Sequence, residues 1–168
     1  MASAAAAALR FDRISHPIDL IETLALEHGW PYERTCDDEL TLEVDGTWCD
    51  YQLSINWRQD IESLHLASAF DLKVPEGRAN EIYRLIAKIN EQLWVGHFDL
   101  WSDDGLLMYR HALLLNGTEP NVEQCQALLT AALESCEFYY QAFQFVIWAG
   151  KNASDALATT MFETKGQA

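Results

Sequence analysis

Apolar and polar residues alternate along three stretches in the first half of the chain, at 40–44, 47–57 and 62–74. A period of two residues is typical of β-strands that bury one face. The apolar positions would share that buried face, which comprises Leu40, Leu42, Val44, Cys49, Tyr51, Leu53, Ile55, Trp57, Leu64, Leu66, Phe70 and Leu72. The pattern therefore predicts three antiparallel strands with one side against a core.

Asp45-Gly46 lies between the first two stretches and is a common two-residue hairpin turn. This turn would place Leu42 opposite Cys49 and would leave Trp48 on the outer face, opposite Glu43. The apolar positions of both strands then fall on the same side, which supports the hairpin.

Four stretches show the period of 3.6 residues that is typical of helices with one buried side. They cover about 16–28, 79–93, 119–149 and 155–162, and Ser15 is in position to cap the first of them. The third is much the longest, and its apolar positions recur over the whole length.

A second hairpin is predicted at 97–101 and 106–115, with a three-residue turn at 103–105. The elements then follow the order α-βββ-α-ββ-α, with a short helical tail. A five-stranded antiparallel sheet with the helices on one face is the economical packing for this α+β order. We expect residues 1–13 to form a disordered leader and residues 14–164 a single domain.

The chain is strongly acidic, with 26 Asp and Glu against 11 Lys and Arg and a net charge of −15. Nucleic acids and anionic membrane surfaces attract clustered Lys and Arg, so the charge argues against both as partners. A basic protein partner fits the charge better, as does a role of the charge in solubility and self-repulsion alone. No signal peptide is evident, and Cys36, Cys49, Cys125 and Cys136 form no C-x-x-C pair. Reduced thiols and a cytoplasmic location are therefore expected.

The sequence contains none of the common nucleophile, phosphate-loop or metalloprotease motifs, and we assign no catalytic residue and no cofactor. The strongest metal candidate is a pair of histidines, because the three-residue turn would place His97 directly opposite His111. Asp99 would lie on the same face, and two imidazoles with a carboxylate suit zinc. We favour the alternative, a polar pair across two strands, and predict no metal site.

Six apolar residues are candidates for a surface that contacts another protein: Trp48, Trp101, Leu107, Tyr109, Phe145 and Trp148. In the predicted register Trp48 and Trp101 point away from the core, and Leu107 lies across from Trp101. Outward aromatic side chains indicate a surface that something covers. The cover is either a partner protein or a later part of this chain, and the pattern leaves both open.

Two stretches resemble a known family: Trp30-Pro31-Tyr32-Glu33-Arg34, and the run from Phe143 to Lys151 that reads Phe-Gln-Phe-Val-Ile-Trp-Ala-Gly-Lys. With the order of elements, they resemble the YbjN-like family, described as bacterial sensory transduction regulators. The fold of that family resembles the type III secretion chaperones. The resemblance covers nearly the whole chain after the leader and implies a non-enzymatic regulatory or chaperone-like protein that forms dimers.

The leading hypothesis is therefore a non-enzymatic module that binds another protein, whose identity the sequence does not indicate. The alternative is a small-molecule or metal sensor, or an enzyme, with a site near His97 and His111. A closed pocket that holds these histidines or Arg110 would favour that alternative. A subunit with a purely structural role is the third hypothesis.

A homodimer is predicted from the length of the third helix. From 119 to 149 it would extend ~46 Å, whereas five strands span only ~20–25 Å. The overhanging end would carry Phe138, Phe143, Phe145, Ile147 and Trp148. This apolar surface is too large to leave in water. Either the chain folds back near Gln141 and covers it, or a second copy does, and we favour the second copy because glutamine is a fair helix former.

Overall fold

The computed structural model describes residues 13–165. Its helices and strands are α1 (Pro17–His28), β1 (Tyr32–Cys36), β2 (Glu39–Asp45), β3 (Asp50–Arg58), β4 (Ser63–Lys73), α2 (Ala79–Asn90), β5 (His97–Trp101), β6 (Leu106–Leu114), α3 (Val122–Ile147) and α4 (Ala153–Lys165). One turn of 3₁₀ helix, Glu76–Arg78, precedes α2. Within the described part of the chain, no helix has both the length and the apolarity to cross a membrane.

The strands form one antiparallel sheet in the order β1-β2-β3-β4-β6-β5. The predicted α+β class is confirmed, but the sheet has six strands and the predicted count of five is wrong. The missed strand is β1, at one edge of the sheet, which pairs with β2 through Tyr32 opposite Leu42. Its residues are mostly exposed and show no apolar alternation, so the pattern that predicts half-buried strands could not detect it.

The core lies between the helices and one face of the sheet. Every predicted inward residue of β2, β3 and β4 is buried, and Cys49, which lies just before β3, is half-buried. At the centre, the rings of Phe70, Phe98, Tyr140 and Phe143 contact one another with centroids 5.2–5.9 Å apart. The helices therefore cover one face of the sheet, as predicted.

Helix α3 begins with a capping box, in which Asn121 accepts from the Gln124 amide and the Gln124 side chain accepts from the Asn121 amide. The helix continues unbroken to Ile147. Helices α2 and α4 pack against it, so Phe143 and Ile147 are buried within the chain and Trp148 alone of the predicted overhanging residues is exposed. The chain therefore covers most of the predicted overhanging surface itself, and Trp148 is the residue left for a second copy to contact.

The start of the domain differs from the prediction in two details. His16, and not Ser15, caps α1, because its Nδ1 accepts from the Ile18 amide at 3.2 Å. Arg13 belongs to the fold, since it forms a 2.8 Å ion pair with Glu62 and its guanidinium lies over the Trp57 ring. The remainder of the predicted leader, residues 1–12, lies outside the described residues.

The turn of the first hairpin lies further along the chain than predicted, although the inward and outward faces of its strands were predicted correctly. Val44 pairs with Tyr51 and Leu42 with Leu53, so the expected pairing of Leu42 with Cys49 is wrong. The Gly46 amide donates to the Cys49 carbonyl, which places the turn two residues further along the chain. The partner of Leu42 thereby changes by four residues, and because this number is even, every strand side chain keeps its predicted face.

The second hairpin is shifted by a single residue, and this shift exchanges the faces of β6. Trp101 pairs with Leu106 across a four-residue loop, and Phe98 pairs with Tyr109. Because side chains alternate along a strand, Leu107 and Tyr109 point into the core and not outward as predicted. Both are fully buried.

Candidate functional site

The helices cover one face of the sheet and leave the other face open. Its central strand β4 presents the small side chains of Ala67 and Ala69, so the surface is concave there. The concavity has a volume of about 460 Å³ and is lined by Thr41, Gln52, Ser54, Asn56, His65, Ala67, Ala69, Trp101, Met108 and Arg110. We call this surface the open face.

Apolar side chains form one flank of the open face. Trp101 is 48% exposed, so the predicted outward position of its ring is confirmed. Met108 is only 4% exposed although it lies on the open face and outside the main core. The exposed indole offers an apolar contact for a ligand or a protein, whereas Met108 has almost no surface left to contribute.

Polar groups at the same flank form a sparse network around Arg110. The guanidinium lies 3.4 Å from Nε2 of His65 on β4 and 3.5 Å from a carboxylate oxygen of Asp99 on β5. Both distances are long for hydrogen bonds, so Arg110 keeps donor capacity for another group. His97 pairs with Arg110 across the strands and adds a second imidazole to this flank.

Burial, together with the nearby Arg110 and His97, lowers the pKa of His65 below its ordinary 6.5, and burial lowers the pKa of His111 as well. The unfolded chain therefore binds protons more readily than the folded chain. We expect the free energy of unfolding to fall as the pH decreases from about 7.5 to about 5.5. Urea unfolding across this range should show a weaker pH dependence in the double variant His65→Gln/His111→Gln. An equal pH dependence in both proteins would contradict the assignment.

The predicted opposition of His97 and His111 is wrong. The observed register places His97 across from Arg110 on the open face, and alternation places His111 on the other face, in register with Leu66. Among residues 13–165, no three His, Cys, Asp or Glu side chains are grouped closely enough to hold a metal ion.

Three further residues of the predicted surface do not lie on the open face. Leu107 and Tyr109 are in the core, and the Tyr109 hydroxyl donates to the Val95 carbonyl at 3.2 Å. The predicted position of Trp48 opposite Glu43 is also wrong, since Glu43 pairs with Gln52. Trp48 lies in the first hairpin turn, and its indole donates to the Glu137 carbonyl on α3 at 3.2 Å.

Phe145 and Trp148 lie at the end of α3, in the stretch that resembles the family. Arg78 holds this end by donating to the Val146 carbonyl at 2.9 Å and to the Lys151 carbonyl at 2.6 Å. The Lys151 ammonium lies 4.6 Å from the centre of the Phe145 ring. These contacts join α2, α3 and α4, so this stretch has a structural role, whereas Trp148 remains 69% exposed.

All four cysteines are free thiols in the structure. Cys125 and Cys136 are buried on α3, and burial raises their pKa to about 11 and about 12. Burial likewise raises the pKa of Cys49 to about 11. Thiols held in their protonated form are poor nucleophiles, which fits a packing role for these side chains.

Sequence reasoning missed the contribution of Asn90, which closes one edge of the sheet. Its side-chain amide donates to the Phe98 carbonyl at 3.0 Å and accepts from the Phe98 amide at 2.9 Å. The Leu100 amide donates to the side chain of Asp99 at 2.9 Å. The outer edge of β5 is thus largely occupied by side chains of the same chain, a feature that no sequence pattern predicts.

The chain belongs to the YbjN family. The family model, described as "Putative bacterial sensory transduction regulator", matches residues 17–145, well over half of the chain. The match confirms the family expected from the two stretches of sequence. No curated protein matches the chain in sequence.

A similar fold occurs in a solved structure, the "Crystal Structure of the ExsC-ExsE Complex". The TM-score is 0.54 and the sequence identity is 20%, over 72% of this chain and 88% of the other chain. At this identity the likeness concerns the fold alone. It confirms the predicted α+β fold of the type III secretion chaperone class, with the strand count corrected to six.

Proposed function

We propose that this protein is a non-enzymatic regulatory or chaperone-like module that binds another protein on the open face of its sheet. The observation that carries the proposal is the sheet itself, which is covered by helices on one face and is concave, partly apolar and uncovered on the other. An open sheet face offers a partner a broad area with fixed side-chain positions. The YbjN family and a similar fold solved as a complex of ExsC with ExsE agree with this role.

The chemistry of the open face supports a polypeptide as the ligand. Trp101 supplies an exposed apolar anchor, and Ala67 and Ala69 leave space for the side chains of the partner. Arg110 supplies donors that its long contacts leave incompletely engaged. Trp and Arg are among the residues enriched at the positions that contribute most binding energy in protein interfaces.

The net charge of −15 supports a basic partner, which it would attract over a long range at low salt. A regulatory module with four free thiols also suits the cytoplasm, where thiols stay reduced. Cytoplasmic fractionation with a specific antibody tests the location.

Self-association is a separate part of the proposal. Trp148 at the end of α3 and Phe162 on α4 are 69% and 76% exposed, and these aromatic side chains support a homodimer through the helical side. Light scattering should then give about twice the chain mass of 19.1 kDa. The mass of a single chain at micromolar concentration would rule the dimer out.

A small anionic ligand is the second candidate, favoured by Arg110 and His65 at the wall of the concavity. The volume of about 460 Å³ is within the range of small-molecule sites. The concavity is nevertheless open along the sheet, whereas such sites enclose most of their ligand. We therefore favour a polypeptide.

A capture experiment with two matched variants tests the proposed function. Ala67→Glu fills the concavity beside Arg110, its partner across the strands, whereas Ala127→Glu adds the same side chain to the exposed side of α3. Tagged wild-type protein should retain a stoichiometric protein from a lysate of the producing cells. We expect Ala67→Glu to reduce that capture at least about tenfold, which corresponds to ~1.4 kcal/mol, and Ala127→Glu to retain it. Equal capture by both variants would contradict the open face as the binding surface.

A further inference from the structure

The two edge strands of the sheet, β1 and β5, differ in whether their outward backbone N–H and C=O groups are hydrogen-bonded. In an antiparallel ladder, alternate residues of an edge strand direct both N–H and C=O away from the sheet. The Leu115 amide donates to the Glu62 carbonyl, which fixes the residues of β6 that bond to β4 and those that bond to β5. In the resulting pattern, Phe98 and Leu100 are the residues of β5 that direct their backbone groups outward. The side chain of Asn90 occupies both groups of Phe98.

The outer edge of β1 has the opposite character. The Glu43 amide donates to the Pro31 carbonyl, so Pro31 and Glu33 bond inward to β2. Tyr32 and Arg34 therefore direct their N–H and C=O groups outward. Within residues 13–165, no hydrogen bond to the backbone of either residue closes this edge.

The side chains of β1 hold the strand in place without covering its edge. Arg34 donates to Asp19 at 2.8 Å and to Glu22 at 2.7 Å, and the Tyr32 hydroxyl donates to Glu22 at 3.0 Å. All three contacts attach β1 to α1 on the helical side. The open backbone groups are thus presented by a strand whose position is already fixed, which lowers the entropy cost of pairing with another strand.

The surroundings of this edge are acidic. Between residues 31 and 45, Arg34 is the one cationic residue, and its charge is already shared by two carboxylates on α1. The exposed acidic residues around it are Glu33, Asp37, Asp38, Glu39 and Glu43. A basic segment is therefore attracted to the edge, and an acidic segment is repelled.

We propose that the outer edge of β1 binds an extended basic segment of the partner protein, which adds a seventh strand to the sheet. The backbone groups of Tyr32 and Arg34 supply the hydrogen bonds, and the surrounding carboxylates select Lys and Arg side chains. A second copy of this chain fits less well. Pairing Tyr32 of one copy with Arg34 of the other would place the two Glu33 carboxylates directly opposite each other. The inference rests on the proposed function, since it assigns a second contact to the same partner.

Amide hydrogen exchange followed by NMR tests the edge directly in the full chain. In the free protein, the amides of Tyr32 and Arg34 should exchange quickly, whereas the Phe98 amide should be protected by Asn90. A short synthetic peptide of alternating lysine and threonine should slow exchange at Tyr32 and Arg34. If the amides of Tyr32 and Arg34 exchange slowly without peptide at every protein concentration, the edge is closed within the chain. If their protection without peptide rises with protein concentration, a second copy binds the edge. Either result overturns the proposal.

Two controls identify the contacts that bind the peptide. The same peptide with N-methylated backbone amides keeps its charge and loses its donors, and it should bind at least about tenfold more weakly. Glu33→Lys should weaken binding several-fold, whereas Glu163→Lys, which changes the net charge equally on α4, should leave it unchanged. Equal binding by both peptides or by both variants would overturn the proposal.

The peptide experiment on the edge of β1 and the capture experiment on the open face can fail separately. If the proposal for the edge fails, the peptide will not slow amide exchange at Tyr32 and Arg34, while Ala67→Glu will still reduce capture of the partner. Failure of the open face would leave capture by Ala67→Glu unchanged, whatever the peptide does.

Discussion

Replacing Phe98 with alanine is expected to lower the free energy of unfolding by about 3–5 kcal/mol. Phe98 is 1% exposed, and its ring contacts those of Phe70, Tyr109, Tyr139 and Phe143 with centroids 5.2–5.9 Å apart. Truncation removes these contacts and leaves a cavity where β5 meets α3, which neighbouring aromatic rings cannot fill without leaving their rotamers.

Urea unfolding of the Phe98→Ala variant measures this loss. Trp94→Ala is the matched control, because Trp94 lies four residues away and is 99% exposed. We expect the control to stay within about 0.5 kcal/mol of the wild type. Equal losses in the two variants would show that Phe98 does not occupy the core position described above.

The Asn90→Ala variant should lose about 1–3 kcal/mol and should also associate through β5. Its side chain makes two hydrogen bonds to the backbone of Phe98, and each contributes roughly 0.5–1.5 kcal/mol. Without them, the outer edge of β5 presents free N–H and C=O groups, which is the usual route to pairing between sheet edges.

Unfolding and light scattering together check the role of Asn90. Asn80→Ala removes the same amide from an exposed position on α2 and should change neither stability nor mass. Asn90→Asp retains an acceptor for the Phe98 amide and loses the donor, so its stability should lie between those of Asn90→Ala and the wild type. A monodisperse Asn90→Ala protein with wild-type stability would contradict this role.

The parts of the fold that the sequence predicted well are those with a strong period. Strands β2, β3 and β4 bury one face, so the alternation of Leu40, Leu42 and Val44 places them correctly. The turn predicted at Asp45-Gly46 was misplaced and changed the pairing by four residues, an even number, so the faces were unaffected. Strand β1 has no apolar period because it lies at the edge, and it was missed for that reason.

The candidate surface was harder to predict because its register depends on one loop. Strand β6 carries apolar residues on both faces, from Leu106 to Tyr109, so alternation does not distinguish the inward face. Reading the loop as three residues instead of four exchanged the faces and moved Tyr109 from the core to the surface. Trp101 was placed correctly because Phe98 and Leu100 define the inward side of β5.

The structural contacts of Arg78 and Asn90 lie beyond any local pattern. Arg78 reaches carbonyls 68 and 73 residues further along the chain, and these distances in sequence hide the contact. The stretch from Phe143 to Lys151 was informative about the family, yet its aromatic residues mainly serve the junction of three helices. A motif can therefore identify a family correctly without marking the binding surface.

Site-specific photocrosslinking tests the central claim most directly. A photoreactive benzoylphenylalanine replaces Gln52, which is exposed on the open face, or Ala127, which is exposed on α3. Each protein is irradiated in a lysate of the producing cells, and covalent adducts are identified by mass spectrometry. We expect a discrete protein adduct from position 52 and none from position 127. Adducts from position 127 alone, or from neither position, would contradict the assignment of the open face as the surface that binds the partner.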